Sequence, residues 1–127
     1  MSYAAASDSE KEAALGAIMH YIAGAESGSV ETLRPGFHPD ATIYGYIGPD
    51  LFGGPIQMFF DWHESNGPAA DMIARVDNIS IEGSIAMVRL EIDNWTGHKF
   101  TDMFTLLKTD GEWKIISKVF YLHPEAE

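Results

Sequence analysis

The chain has 127 residues, 46% of them hydrophobic and 21% charged, which is typical of a single folded domain spanning 1–127 rather than of a disordered chain. The formal net charge is −11, with 19 acidic against 8 basic residues and no basic run, so we expect no nucleic-acid partner and no anionic membrane partner. The chain has no cysteine, which excludes disulfides, thiol catalysis and thiolate metal sites.

The sequence shows neither a membrane-spanning segment nor a secretory signal. No apolar run reaches membrane-spanning length, and the opening stretch MSYAAASDSEKEAA lacks the basic and apolar regions of a secretory signal. We therefore expect a cytoplasmic protein.

Helical patterns occupy the first part of the chain. Ser7 and Glu10 have the spacing of a capping box, and apolar residues then recur at helical spacing as far as Gly24. Ser29 can cap a short second helix, which Pro35 ends. These signals predict two helices before the first strand.

A strand and a third helix follow. The run ATIYGYI, residues 41–47, predicts a short strand. Gly54 and Pro55 then open a helix whose apolar stripe includes Phe59 and His63.

The hydrophobic period changes from 3.6 to 2 in the second half of the chain. Residues 72–82 predict a strand with a slip near residues 76–79, which can mark a β-bulge. Residues 86–92 alternate most clearly, and Asp110-Gly111 is a strong hairpin signal between two further strands. Helices first and an antiparallel meander second predict an α+β fold, with the helices packed on one face of the sheet.

The hairpin also predicts which residues face the helices. A two-residue loop at Asp110-Gly111 pairs Thr109 with Glu112 and, counting back, Asp102 with Val119. Lys118 and Phe120 then lie on the opposite, outer face. The predicted buried face holds Phe100, Asp102, Phe104, Leu106, Trp113, Ile115, Ser117, Val119 and Tyr121.

Asp102 is the charged exception on that buried face. A buried carboxyl must be paired, hydrogen-bonded or neutral, and burial raises its pKa. One interpretation is a pocket group that donates a hydrogen bond to an oxygen of a bound molecule, or accepts a proton from it. The other is a structural aspartate that is hydrogen-bonded to a hydroxyl or a backbone amide.

Three segments of the chain, taken in order, resemble the NTF2-like superfamily, which is also called SnoaL-like. They are HYIAGAESGSVETL, FHPDATI and DMFTLLKTDGEWKIISKVF. The resemblance is greatest to the lumazine-binding-like branch, which is bacterial. The resemblance covers nearly the whole chain. It implies a cone-shaped α+β fold with three N-terminal helices packed on a curved antiparallel β-sheet, and a homodimer formed through the outer sheet face.

The chain is also distantly similar to the ketosteroid isomerases of that superfamily. Their tyrosine and protonated aspartic acid, which bind an oxyanion, match Tyr21 and Asp102 here, whereas their general base matches Gly45. The raised carboxyl pKa in that enzyme is a known case of an acid kept neutral by its site. Because glycine has no side chain to take a proton, the resemblance retains two polar groups and loses the base.

The remaining candidate residues are weaker. His63 is a possible base or a buried histidine held by the backbone, and Tyr21 a pocket group or a boundary tyrosine. His38 and Asp40 make an incomplete ligand set, so we expect no metal site and no cofactor. The predicted lining of an aromatic pocket, each member of which could instead be plain core, is Tyr44, Tyr46, Phe59, Trp62, Phe104, Ser117 and Tyr121.

Three hypotheses follow. In the first, the protein binds a small apolar or aromatic molecule in a pocket between helices and sheet. In the second, it is an isomerase, cyclase or hydrolase that uses Asp102 and Tyr21 to polarise a ligand oxygen, with His63 as a tentative base. In the third, it is a dimeric interaction module with a filled core.

Overall fold

The computed structural model describes residues 8–125. Helix α1 spans Asp8–Ser27, and α2 spans Val30–Leu33, followed by a 3-10 helix at Arg34–Gly36; α3 spans Gln57–Asn66. The six strands are β1 (Phe37–Ile47), β2 (Asp50–Pro55), β3 (Ile73–Glu82), β4 (Ile85–Trp95), β5 (His98–Thr109) and β6 (Glu112–Leu122). No helix within the described range is long and apolar enough to cross a lipid bilayer.

Helix α1 presents one apolar stripe to the sheet. Its buried side chains recur three or four residues apart, at Ala14, Ala17, Ile18, Tyr21 and Ala25, which is the spacing of one helical face. This stripe places Tyr21, the largest of them, against the sheet. The predicted partner of Glu10 in the capping box, Ser7, lies outside the described residues.

The second helix begins where the sequence predicts. The Ser29 side chain accepts a hydrogen bond from the backbone N–H of Thr32 at 3.1 Å, which confirms Ser29 as the N-cap.

The strands form one curved sheet in the order β2-β1-β6-β5-β4-β3. All neighbours are antiparallel except β1 and β6, which are parallel, so the sheet is mixed rather than purely antiparallel. The α+β cone-shaped fold class is confirmed.

Strand β2 was not predicted. Gly54 and Pro55, expected to open the third helix, end this strand instead, and α3 begins at Gln57. Two glycines and a proline in six residues give β2 little intrinsic strand propensity, so its conformation depends on pairing with β1.

Two local predictions about the strands are confirmed. The slip expected near residues 76–79 is confirmed as a bulge between Val76 and Asn78. The Asp110-Gly111 turn is also confirmed, with Thr109 opposite Glu112 and positive φ at both turn residues, 51° and 81°.

Beyond that turn the predicted register is wrong. Leu106 pairs with Ile115, but Thr105 pairs with Ser117, so Ile116 is an extra residue in β6. Because side chains alternate along a strand, this bulge exchanges the faces of every residue that follows it.

The exchange reverses the predicted positions of five residues. Ser117, Val119 and Tyr121 lie on the outer face, where Val119 is 49% and Tyr121 is 56% exposed. Lys118 and Phe120 turn inward and become buried. Asp102 keeps its predicted place on the inner face, although it pairs with Phe120 and not with Val119.

Candidate functional site

A cavity of about 310 Å³ opens between the helices and the concave face of the sheet. Its size is at the lower end of the range for small-molecule sites. Most of the described lining is apolar: Ile43, Ile47, Phe52, Phe59, Trp62, Trp95, Phe100, Phe120 and Leu122. The polar lining residues are Tyr21, Thr96, His98, Asp102 and Lys118.

Three of these polar residues are buried together. Tyr21 is 0%, Asp102 1% and Lys118 4% exposed, and they reach the cavity from α1, β5 and β6. Thr96, in the turn between β4 and β5, and His98, the first residue of β5, are more exposed. The buried polar side chains that line the cavity are therefore concentrated at one place.

Tyr21 orients the Asp102 carboxyl. Its hydroxyl donates a hydrogen bond of 2.9 Å to Oδ2 of Asp102. The other carboxyl oxygen, Oδ1, is buried and has no hydrogen-bond partner among the described residues. A buried acceptor without a hydrogen bond lowers the stability of the folded state, so Oδ1 is suited to accept a hydrogen bond from a bound molecule.

Lys118 is the cation of the site. Its Nζ lies 3.8 Å from Oδ1 of Asp102, and within 4.9–5.3 Å of the ring centroids of Tyr21, Phe59 and Phe120. The separation of 3.8 Å is an ionic contact longer than a direct hydrogen bond, so a ligand oxygen or a water fits the role of bridge. The aromatic faces stabilise positive charge at this position.

Burial opposes charge on both members of the pair. It lowers the pKa of Lys118, while the neighbouring Asp102 carboxylate acts in the opposite direction. Burial raises the pKa of Asp102, whereas Lys118 and the Tyr21 hydroxyl lower it. Burial and the Asp102 charge also raise the pKa of Tyr21 well above its ordinary value, so Tyr21 stays a neutral donor. Burial thus disfavours the ammonium form of Lys118 and the carboxylate form of Asp102, and each charge partly offsets this effect at the other.

The position that matches the isomerase base is filled by a ring. A Cβ added to Gly45 would lie 2.5–2.6 Å from three ring carbons of Phe120, which pairs with Gly45 across the β1–β6 ladder. Lys118 lies two residues earlier on the same face of β6, opposite Ile43. The ionisable group next to Asp102 is therefore an amine on β6, not a carboxylate on β1.

His63 is buried on α3 but does not line the cavity. Its Nε2 lies 3.1 Å from the carbonyl oxygen of Gly24 and so carries the hydrogen, and its ring contacts Phe59, Trp62 and Trp95. Burial lowers its pKa. This arrangement matches the backbone-held alternative and ties α3 to α1.

The predicted pocket residues are divided among three places. Phe59 and Trp62 line the cavity with Tyr21 and Asp102. Phe104 is core, its ring 5.2 Å from that of Tyr21. Four others face away from the cavity, Tyr44 and Tyr46 because β1 alternates, and Ser117 and Tyr121 because of the Ile116 bulge.

Lys118 is the residue that the sequence reasoning missed. Its position follows from a bulge, and the adjacent Ile115 and Ile116, two apolar residues in a row within an alternating strand, were the available signal. Trp95, which also contributes an aromatic ring to the lining, was missed as well, whereas Phe100 lies on the inner face as predicted. Among residues 8–125, no three His, Asp or Glu side chains are grouped closely enough to hold a metal ion.

Comparison with known proteins supports a single family. The family model described as "Putative lumazine-binding" matches residues 9–121. A protein named aldolase FrzH, from Cladobotryum sp., is 33% identical over 117 residues, covering 91% of this chain and 94% of the relative.

Solved structures agree. An NTF2-like protein of unknown function from Methylobacillus flagellatus KT is 47% identical, with a TM-score of 0.91 over 94% of this chain and 96% of its own. A second, from Shewanella baltica OS155, is 33% identical, with a TM-score of 0.89 over 96% of this chain and 100% of its own. A ketosteroid isomerase-like protein from Erwinia carotovora atroseptica SCRI1043 is 14% identical, with a TM-score of 0.72 over 94% of this chain and 100% of its own, and shares the fold. The chain therefore belongs to the NTF2-like family described as lumazine-binding.

Proposed function

We propose that this protein binds a small, mostly apolar carbonyl compound and catalyses aldol-type chemistry, the making or breaking of a carbon–carbon bond next to the carbonyl group. The observation that carries the proposal is the buried set of Tyr21, Asp102 and Lys118 at an aromatic cavity. The name of the 33% identical relative, an aldolase, supports the same reaction class.

Aldol-type chemistry needs two operations that these groups are suited to perform. The carbonyl must be activated, which a cation or an amine does, and a proton must leave the adjacent carbon, which a carboxylate accepts. Lys118 is the activating group. Oδ1 of Asp102 is the acceptor, because it lies 3.8 Å from Lys118 and takes no hydrogen bond from any residue of the described range 8–125. Tyr21 holds the carboxylate through Oδ2, and the apolar walls keep water from competing for the proton.

The experiment is α-proton exchange of a ketone in heavy water, followed by proton NMR. Phenylacetone, a small aryl ketone, suits an aromatic cavity of this size. We expect the α-protons to exchange faster with the wild-type protein than without protein. We expect Asp102→Asn and Lys118→Met to lose this acceleration. Lys99→Met, which removes an exposed lysine, is the matched control and retains exchange. Equal exchange in all four proteins would contradict the proposal.

A second candidate function is binding without chemistry. The stacked pair Phe59 and Trp62, with Trp95 nearby, offers faces to a flat bicyclic ring, and the family description names lumazine. Titration with lumazine, monitored by tryptophan fluorescence, separates the candidates. Saturable lumazine binding together with no exchange of phenylacetone protons favours this second function.

We also propose a homodimer formed through the outer face of the sheet. Met87, Met103, Val119 and Tyr121 are exposed there on neighbouring strands, and exposed apolar groups in one patch favour burial in an isologous interface. Sedimentation of the wild type and of Met103→Glu tests this: a dimer that the variant breaks is expected, and a wild-type monomer would refute it.

A further inference from the structure

We propose that Lys118 activates its substrate covalently, by forming an imine with the carbonyl carbon of an aldehyde or ketone. The inference rests on the proposed function, because it specifies how the same site would act on its carbonyl compound. Lys118 has the position, the surroundings and the proton partner that such a step requires.

The position of Lys118 is unusual for a lysine. Its side chain is 5% exposed and lines the cavity, whereas Lys11, Lys99, Lys108 and Lys114 are partly or fully exposed. An amine attacks a carbonyl only as the free base, and an apolar, water-poor position favours that form. Lys118 is therefore better prepared to act as a nucleophile than those four lysines.

The surroundings suit the product as well as the reactant. Lys118 as ammonium has one positive charge, and a protonated imine at the same nitrogen also has one. The rings of Tyr21, Phe59 and Phe120 lie within 4.9–5.3 Å of Nζ and stabilise either cation. The site therefore keeps the same charge during the conversion, and no new buried charge needs to be created.

The proton partner is Asp102. Its Oδ1 lies 3.8 Å from Nζ and has no hydrogen-bond partner among the described residues. Asp102 as carboxylate takes a proton from the ammonium, which frees the amine. The nitrogen lone pair then forms a bond to the carbonyl carbon, and the carbonyl oxygen becomes a hydroxyl by taking the proton that the attacking nitrogen loses. Asp102 still holds the proton that came from the ammonium.

The second half of the step returns the proton. The hydroxyl of the carbinolamine leaves as water after accepting a proton from Asp102, while the nitrogen lone pair forms the C=N bond of the protonated imine. The carboxylate so regenerated accepts a proton from the adjacent carbon, and the electron pair of that C–H bond forms an enamine. Hydrolysis by the same water reverses the sequence, so no oxidant or further reactant is needed.

The test is reductive trapping. The full-length protein is incubated with phenylacetone, treated with sodium borohydride, digested and analysed by mass spectrometry. We expect one added group, with the mass of the ketone less one oxygen atom, on the peptide containing Lys118. Lys118→Arg keeps the cation beside Asp102 but forms no imine, so it should fold, lose the adduct and lose α-proton exchange. Lys99→Met should keep both.

The outcomes separate the two proposals. Proton exchange without an adduct at Lys118, or exchange that persists in Lys118→Arg, overturns the imine and leaves the aldol-type function standing. An adduct at Lys118 without proton exchange supports the imine and overturns that function. Absence of both overturns both. An adduct found equally at exposed lysines, and unchanged in Lys118→Arg, also overturns the assignment to Lys118.

Discussion

Replacement of Lys118 by methionine is the perturbation that tests the buried pair most sharply. The change removes the ammonium 3.8 Å from Oδ1 of Asp102 and leaves a carboxyl that is 1% exposed. With an effective dielectric constant of about 20, two unit charges at that distance attract by about 4 kcal/mol. This agrees with the roughly 3–5 kcal/mol that loss of one partner of a buried pair costs.

The destabilisation should depend on pH through Asp102. Without Lys118 the pKa of Asp102 rises further above its ordinary value, because burial raises it and the cation that lowered it is gone. The folded state then holds the proton more tightly than the unfolded state. Stability is highest below the unfolded pKa and falls as pH rises toward the folded pKa, by at most about 1.4 kcal/mol per pH unit.

The assay is a double-mutant cycle in urea, followed by tryptophan fluorescence. The proteins are the wild type, Lys118→Met, Asp102→Asn and the double variant, each measured at pH 5 and pH 8. Asparagine keeps an oxygen for the Tyr21 hydroxyl, so Asp102→Asn removes only the charge. We expect a coupling energy of about 4 kcal/mol at pH 8. A coupling below about 1 kcal/mol, or a Lys118→Met variant as stable at pH 8 as at pH 5, would refute the reasoning.

Three further predictions concern neighbouring residues. Gly45→Ala places a Cβ against the Phe120 ring and should cost about 1–3 kcal/mol in urea unfolding; no loss would contradict the packing. Tyr21→Phe removes the hydrogen bond to Asp102 and should cost about 1–3 kcal/mol by the same measurement, with a neutral result opposing it. Burial lowers the pKa of His63 in the folded state below its ordinary value of 6.5, so the neutral ring stabilises the folded protein above pH 6.5. That stability is lost as the pH falls from 6.5 to the pKa of the folded state. The wild type should therefore lose more stability than His63→Gln between pH 7.5 and pH 5.5, in thermal unfolding, and parallel losses would argue against it.

Local signals in the sequence were enough for much of the fold. The Ser29 cap, the Asp110-Gly111 turn and the bulge near Val76 each depend on residues close in the chain, and each is confirmed. Strand β2 and the parallel pairing of β1 with β6 depend on contacts between distant segments, which local propensity does not encode.

The site was predicted in part for the same reason. Asp102 follows from counting back along β5, whereas Tyr21 was predicted from its match to the tyrosine of the ketosteroid isomerases. Lys118 was not predicted, because one extra residue in β6 exchanges its face and lysine is rarely buried. Ser117 and Lys118 are both polar, so the alternation of polar and apolar residues does not by itself show which of the two faces inward.

The most direct measurement of the central claim is a crystal structure of the protein with bound phenylacetone. We expect the ketone in the aromatic cavity, with its carbonyl carbon at Nζ of Lys118 and its α-carbon facing Oδ1 of Asp102. A ketone bound on the outer sheet face, or held in the cavity with its carbonyl group directed at Thr96 and His98, would contradict it.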